Sequence, residues 1–330
     1  MAARPPLLIP ANIFSISFGL AGLAMVWNVA SRHFGAPWIV VDVLTALAFL
    51  VWAVLVVLYV RRIIANHTSL LAELTHPVTA PFLSLVPVTL LVLVPVVVER
   101  NPTAAGVLAV GAALITALLG AWLVGRWVGH GIPEASLHAG YYLPTVAAGL
   151  IGATAFASVG LPAAAMMAFG LGIACWLLMG SIITNRNFVV SALPAVLVPT
   201  IAIDVAPPVV AGNAWFTMNP GSGSDDVVQL MLAGCAVFLV LVQLRLLPKY
   251  RSLSFGPSFW AFTFSYCAVA SYALRWIAVT QPSGATWLAW TVITVITAFL
   301  LVIAALSIRG LVRGTFLPRE AALAYPGSPG

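Results

Sequence analysis

Two side-chain chemistries stand out in this chain of 330 residues: aromatic rings that could plug a narrow passage, and one acid that could carry a proton. The rings fall at Phe255, Phe259, Trp260, Phe262, Phe264 and Tyr266. Phe262 and Phe264 are two residues apart, so they point to nearly opposite sides of a helix and at most one can close a passage. The Phe264 face also carries Trp260, Cys267, Ala268 and Ser271, and it turns small and polar beyond the ring. The Phe262 face carries Phe255, Phe259, Tyr266 and Val269, side chains suited to packing against protein or lipid. Phe264 is therefore the expected inward-facing ring and Phe262 the runner-up, and a packing or lipid-facing role stays open for both.

The acid is Asp204, which lies well inside the apolar run from Val198 to Pro208. An ionisable group within a membrane span is costly and marks ion or proton pathways. The same residue is close to the expected end of its helix, where the outer interface would solvate it. The sequence leaves both readings open.

Catalytic chemistry has no comparable footing. No pair of histidines has the HExxH spacing, and there is no GxGxxG, P-loop or GxSxG turn. His67, His76, His130 and His138 fall in loops on one side and His33 on the other. Cys175, Cys235 and Cys267 each lie in an apolar stretch with no partner at metal or redox spacing. No enzyme activity, metal site or cofactor is expected.

The elements that position these residues are membrane helices. The chain is 62% hydrophobic and 7% charged, against roughly 25% charged in soluble domains. Its apolar runs are continuous and approach the ~20 residues a spanning helix needs, unlike the alternating strands of a barrel. The expected spans are 12–31, 38–60, 80–98, 104–125, 136–159, 163–183, 188–210, 226–247, 256–279 and 286–308. Tight links are expected at Gly160–Pro162 and Arg186–Asn187, and long loops at 64–79 and 211–225. Residues 1–314 form one ten-helix domain in this reading, and 315–330 a short cytoplasmic tail.

Basic residues orient the spans. With the N-terminus inside, eleven of the fourteen lie on the cytoplasmic side: Arg4, Arg61, Arg62, Arg126, Arg186, Arg245, Lys249, Arg251, Arg309, Arg313 and Arg319. Only Arg32, Arg100 and Arg275 lie outside, a positive-inside bias that puts both termini in the cytoplasm. Asp42, Glu99, Asp204, Asp225 and Asp226 fall on the outer side. The basic residues do not cluster on a soluble face, so nucleic acid is not an expected partner. A multi-pass protein of the plasma (inner) membrane is.

Prolines mark the odd-numbered spans: Pro10, Pro87 with Pro95, Pro144, Pro194 with Pro199, and Pro257. Proline removes a helix hydrogen bond, and the freed carbonyls need neighbours or a watery cavity. The alternation suggests five helical hairpins whose odd members line a central pore. Lining candidates are Phe14, Ser17, Phe18, Pro87, Pro144, Gly149, Pro199 and Ser271. Small and hydroxylated residues also serve close helix packing, and composition alone does not separate the two uses.

Several stretches resemble the tellurite-resistance/dicarboxylate transporter family, which includes TehA-like proteins and the slow-type anion channels of plants. They are residues 14–27, 76–89, 142–146, 193–200 with 206–208, and Phe259-Trp-Ala-Phe-Thr-Phe264. The resemblance implies five hairpins around a pore, odd helices inner and even helices outer, and a homotrimer with one pore per subunit. It also implies an occluding phenylalanine, and the aromatic-Thr-Phe pattern falls on Phe262-Thr263-Phe264. Asp204 departs from the family pattern. Two functions follow as expectations: a gated pathway for small inorganic or carboxylate anions, or a proton-coupled carrier of dicarboxylates, sulfite or tellurite-type oxyanions using Asp204.

Overall fold

The computed structural model describes residues 9–65 and 70–317. Arg4, His67, Arg319, Glu320 and most of the expected tail lie outside the described residues. Every regular element among them is helical: α1 (Ser15–Phe34), α2 (Trp38–Ala65), α3 (Leu70–Thr75), α4 (Leu85–Val97), α5 (Pro102–His130), α6 (Ala148–Ser158), α7 (Pro162–Val189), α8 (Ala206–Met218), α9 (Val227–Arg251), α10 (Ala261–Thr280) and α11 (Ala285–Val312). Together with their lead-in turns, eight of the helices are long and apolar enough to cross a membrane.

The helices divide by exposure, and the division runs opposite to that of a soluble protein. The span Ala11–Phe34 has mean hydropathy 1.7 and is 83% buried, whereas Trp38–Ala65 has 2.8 and is 17% buried. The two most apolar spans, Trp38–Ala65 at 2.8 and Ala285–Val312 at 2.6, face outward, where hydrocarbon is the solvent. α1, α4, α6, α8 and α10 hold most of the core, while α2, α5, α7, α9 and α11 expose large apolar side chains such as Ile39, Leu118, Leu178, Phe238 and Leu301.

Consecutive helices pair: α1 packs on α2, α4 on α5, α6 on α7, α8 on α9, and α10 on α11. The buried helices touch in a closed cycle, with α1 on α4, α4 on α6, α6 on α8, α8 on α10, and α10 back on α1.

Each buried helix begins with a tightened turn. These are 3-10 turns at Ala11–Phe14, Ala80–Ser84, Ala139–Tyr142, Val198–Val205 and Pro257–Trp260, the third followed by a π turn at Leu143–Ala147. Pro10, Pro81, Pro144, Pro199 and Pro257 stand at or just before the first helical positions. Proline suits that place because its φ is preset and the first N–H groups of a helix have no internal acceptor. The lead-in turns also contact one another in a cycle.

Four expectations are corrected. α7 runs through Arg186 and Asn187 to Val189, so no turn lies there. The next helical segment spans 198–218 rather than 188–210, because Pro194 and Pro199 keep 190–197 out of regular helix and Pro207–Pro208 open α8 instead of ending it. The expected loops shrink: 64–79 holds α3, and 211–225 begins only after Met218. Proline is not confined to the odd spans, since Pro102 and Pro162 start α5 and α7, and Pro248 lies inside α9.

Candidate functional site

Phe264 occupies the middle of the buried helices. Its ring stacks on Phe18 of α1, with centroids 3.7 Å apart and planes 22° from parallel. Gly22, one turn further along α1, makes room for it: a Cβ there would lie 3.1 Å from Phe264 Cδ2. On one side of the ring is a cavity of about 40 Å³ bordered by Ser15, Phe18, Tyr142, Val210, Trp260 and Ser265. On the other is a cavity of about 50 Å³ bordered by Thr154, Val210, Asn213, Ala268, Ser271 and Arg275. Phe264 and Val210 belong to both walls and separate the two spaces. Each cavity has room for a few waters at most, at roughly 10–15 Å³ per water.

Phe262 sits on the opposite face of α10. It packs on Tyr250, with centroids 4.9 Å apart, and on Phe259 and Tyr266. That cluster belongs to the contact of α10 with α9 and the Val198–Val205 turn, outside both cavities.

Of the eight lining candidates, Phe18 and Ser271 border these cavities. The other six lie elsewhere. Phe14 packs edge-on against Tyr59 of α2. Gly149 meets the backbone of Gly172, where an added Cβ would come within 2.6 Å, so its smallness serves the contact of α6 with α7. The Pro144 carbonyl presses toward Gly120 of α5. The Ser17 hydroxyl donates to the Phe14 carbonyl at 2.9 Å. Pro87 and Pro199 are buried between helices. Close packing accounts for the small residue at Gly149, and Pro87, Pro144 and Pro199 are buried.

Asp204 is not near the outer end of its helix, because the segment runs on to Met218. It lies in the lead-in turn, close to the Tyr142 side chain. Its Oδ1 is buried and has no hydrogen-bond partner among the described residues. Tyr142 borders the cavity on the lead-in side.

The histidines at the lead-in ends are structural. His138 is fully buried, bonded to the Val78 carbonyl at 3.1 Å, accepting from the Gly140 N–H at 3.0 Å, and stacked on Phe82. His76 accepts from the N–H groups of Val78 and Thr79, and burial lowers its pKa below the usual imidazole value.

The chain matches the family described as SLAC1, voltage-dependent anion channel, over residues 9–308. It belongs to that family. The TehA tellurite-resistance homologue of Haemophilus influenzae is 28% identical over 277 residues, covering 83% of each chain. The S-type anion channel SLAH2 of Arabidopsis thaliana is 22% identical over 280 residues, 81% of this chain and 52% of the plant protein. SLAH3 of the same plant is 24% identical over 288 residues, 83% of this chain and 44% of that protein. The chain thus spans about half the length of the plant relatives. Membership in the SLAC1 family and the spanning helices make it a multi-pass membrane protein, and anion transport is the activity this membership supports.

The sequence reading missed Arg275 and Asn213 as wall residues. In the sequence Arg275 reads only as one of the basic residues that orient the spans. A signal was there, since Phe264, Ser271 and Arg275 recur at i, i+7 and i+11, one face of a helix.

Proposed function

We propose that the chain conducts small anions along the axis enclosed by α1, α4, α6, α8 and α10, closed at rest by Phe264. Ten spans in five hairpins, with the buried helices inner and their partners outer, fit the pairwise packing and the cycle of contacts. Residues 1–314 form the transmembrane domain in this reading and 315–330 a cytoplasmic tail. The lead-in turns are cytoplasmic, in keeping with the excess of arginine and lysine at those ends. The protein is placed in the plasma (inner) membrane as a homotrimer with one pore per subunit.

The observation that carries the reading is the stacked Phe18–Phe264 pair between two cavities. A ring in that place blocks ion passage and excludes water, the dewetting form of gate. Chloride or nitrate flux into liposomes holding Phe264→Ala tests it. Flux rises roughly tenfold or more, as lowering a barrier by about 1.4 kcal/mol would give. A folded variant that stays at background contradicts the gate.

A second reading has its own observation, the buried and unpartnered Oδ1 of Asp204 beside Tyr142. Here the protein is a proton-coupled carrier of dicarboxylates, sulfite or tellurite-type oxyanions, with Asp204 taking up the proton. Asp204→Asn then removes the pH dependence of uptake. An unchanged pH profile ends that role.

A further inference from the structure

We infer that Arg275 holds an anion in the outer cavity, making it a binding site for a small monovalent anion of chloride or nitrate size. The inference rests on the central path proposed above and names the residue that would load it.

Three observations converge. First, Arg275 borders the cavity beyond Phe264 together with Thr154, Asn213 and Ser271. Eleven residues separate it from Phe264, so it stands about 16 Å further along α10 on nearly the same face. Second, the guanidinium has no acid to neutralise it among the described residues. Its Nη2 donates to Thr217 Oγ1 at 3.3 Å, a neutral hydroxyl, and its Nε is buried with no partner. Third, the other two outer arginines are paired, Arg32 with Glu99 and Arg100 with Asp42. Asp226 is occupied by Trp215, Ser222 and the Gln229 N–H.

A half-buried cation whose Nε is shut off from solvent and which has no counter-charge is costly. An anion drawn into the cavity offsets that cost. Arginine suits the task because its planar fork offers several donors to one anion and stays charged at any working pH. Ser271 and Thr154 add hydroxyls to the same wall, and Ser271 stands one turn nearer to Phe264. The Asn213 amide is fixed by donating to the Val209 and Ala268 carbonyls, at 2.9 and 3.1 Å. Its Oδ1 is buried and unpartnered, ready to accept from a water of the anion's hydration shell.

An arginine that only stabilises the end of α10 would affect folding but not the response to anions. The test therefore reads the response. The melting temperature of the purified full-length protein is measured in sodium nitrate against sodium gluconate at equal ionic strength. Nitrate raises it in the natural sequence, Arg275→Gln abolishes the rise, and Arg275→Lys weakens it by losing the planar fork. No nitrate effect in the natural sequence overturns the site, as does a rise undiminished in either variant. If Arg275→Gln does not fold, Arg275→Lys alone decides.

A second arm places Arg275→Gln in the Phe264→Ala background and varies nitrate outside the liposome. The half-saturating concentration rises about tenfold, the scale of one lost charge-assisted contact. An unchanged value overturns the site. If Phe264→Ala itself carries no flux, the pathway reading fails, while the melting measurement still decides whether Arg275 binds nitrate.

Discussion

On the Ser15 side of Phe264 the cavity is walled by Phe18, Phe82, Leu85 and Trp260, with hydroxyls at Ser15, Tyr142 and Ser265 and no charged side chain among its lining residues. On the other side the wall carries Asn213, Thr154, Ser271 and Arg275. The two spaces are similar in size and share Phe264 and Val210, yet they offer an ion different surroundings. On the proposed path, an anion arriving from the Arg275 end meets a guanidinium before the ring. One arriving from the opposite end meets apolar walls and the ends of the lead-in turns, whose N-terminal N–H groups carry weak positive potential. Charge lies in the cavity bordered by Arg275, and on the proposed path the barrier lies at the wall the two cavities share.

Substitutions away from that wall sharpen the contrast. Phe262→Ala removes a ring buried against Tyr250, Phe259 and Tyr266. It costs about 3–5 kcal/mol of stability and leaves anion flux at the natural level. Thermal unfolding in detergent and liposome flux on the same preparation check both halves, and a gain in flux breaks the distinction between the two faces of α10.

Gly149→Ala comes next. The added methyl meets the Gly172 backbone, which cannot turn aside as a side chain could. A loss of about 1–3 kcal/mol is expected from overpacking. Unchanged thermal stability would return Gly149 to the list of water-facing positions.

The smallest effect belongs to the cap of α9. Asp226 caps α9, accepting from the Gln229 N–H at 3.0 Å, from Trp215 Nε1 at 3.0 Å and from Ser222 Oγ at 2.9 Å. Asp226→Ala costs about 1 kcal/mol. The Gln229 N–H, followed by the Trp215 bond, holds the carboxyl below its ordinary range. Its contribution is therefore complete above the usual aspartate pKa and fades as pH falls through the lowered value. Acid melting curves of the natural protein and the variant should converge at low pH, and a difference that persists there contradicts the assignment.

Much of this was legible in the residues. Continuous apolar runs announce helices, and the two-residue offset of Phe262 and Phe264 puts the rings on opposite faces of one. Proline was ambiguous because it both opens and breaks helices. Pro194, Pro199 and Pro207–Pro208 read equally well as kinks within one span or as the start of another, and the bend at 190–197 follows from packing around them. Small residues were ambiguous for a related reason, as a glycine that meets a neighbouring backbone and one that faces a cavity look the same in sequence. Arg275 was hidden by its position, since an arginine near the end of a span reads first as an orientation signal.

The central claim is that the shared wall is the barrier, and chloride flux through proteoliposomes of Phe264→Ala and Phe262→Ala, compared at equal protein content, tests it most directly. The account predicts a rise of roughly tenfold or more for Phe264→Ala and no rise for Phe262→Ala. Equal flux through the two variants, or background flux through folded Phe264→Ala, would contradict it.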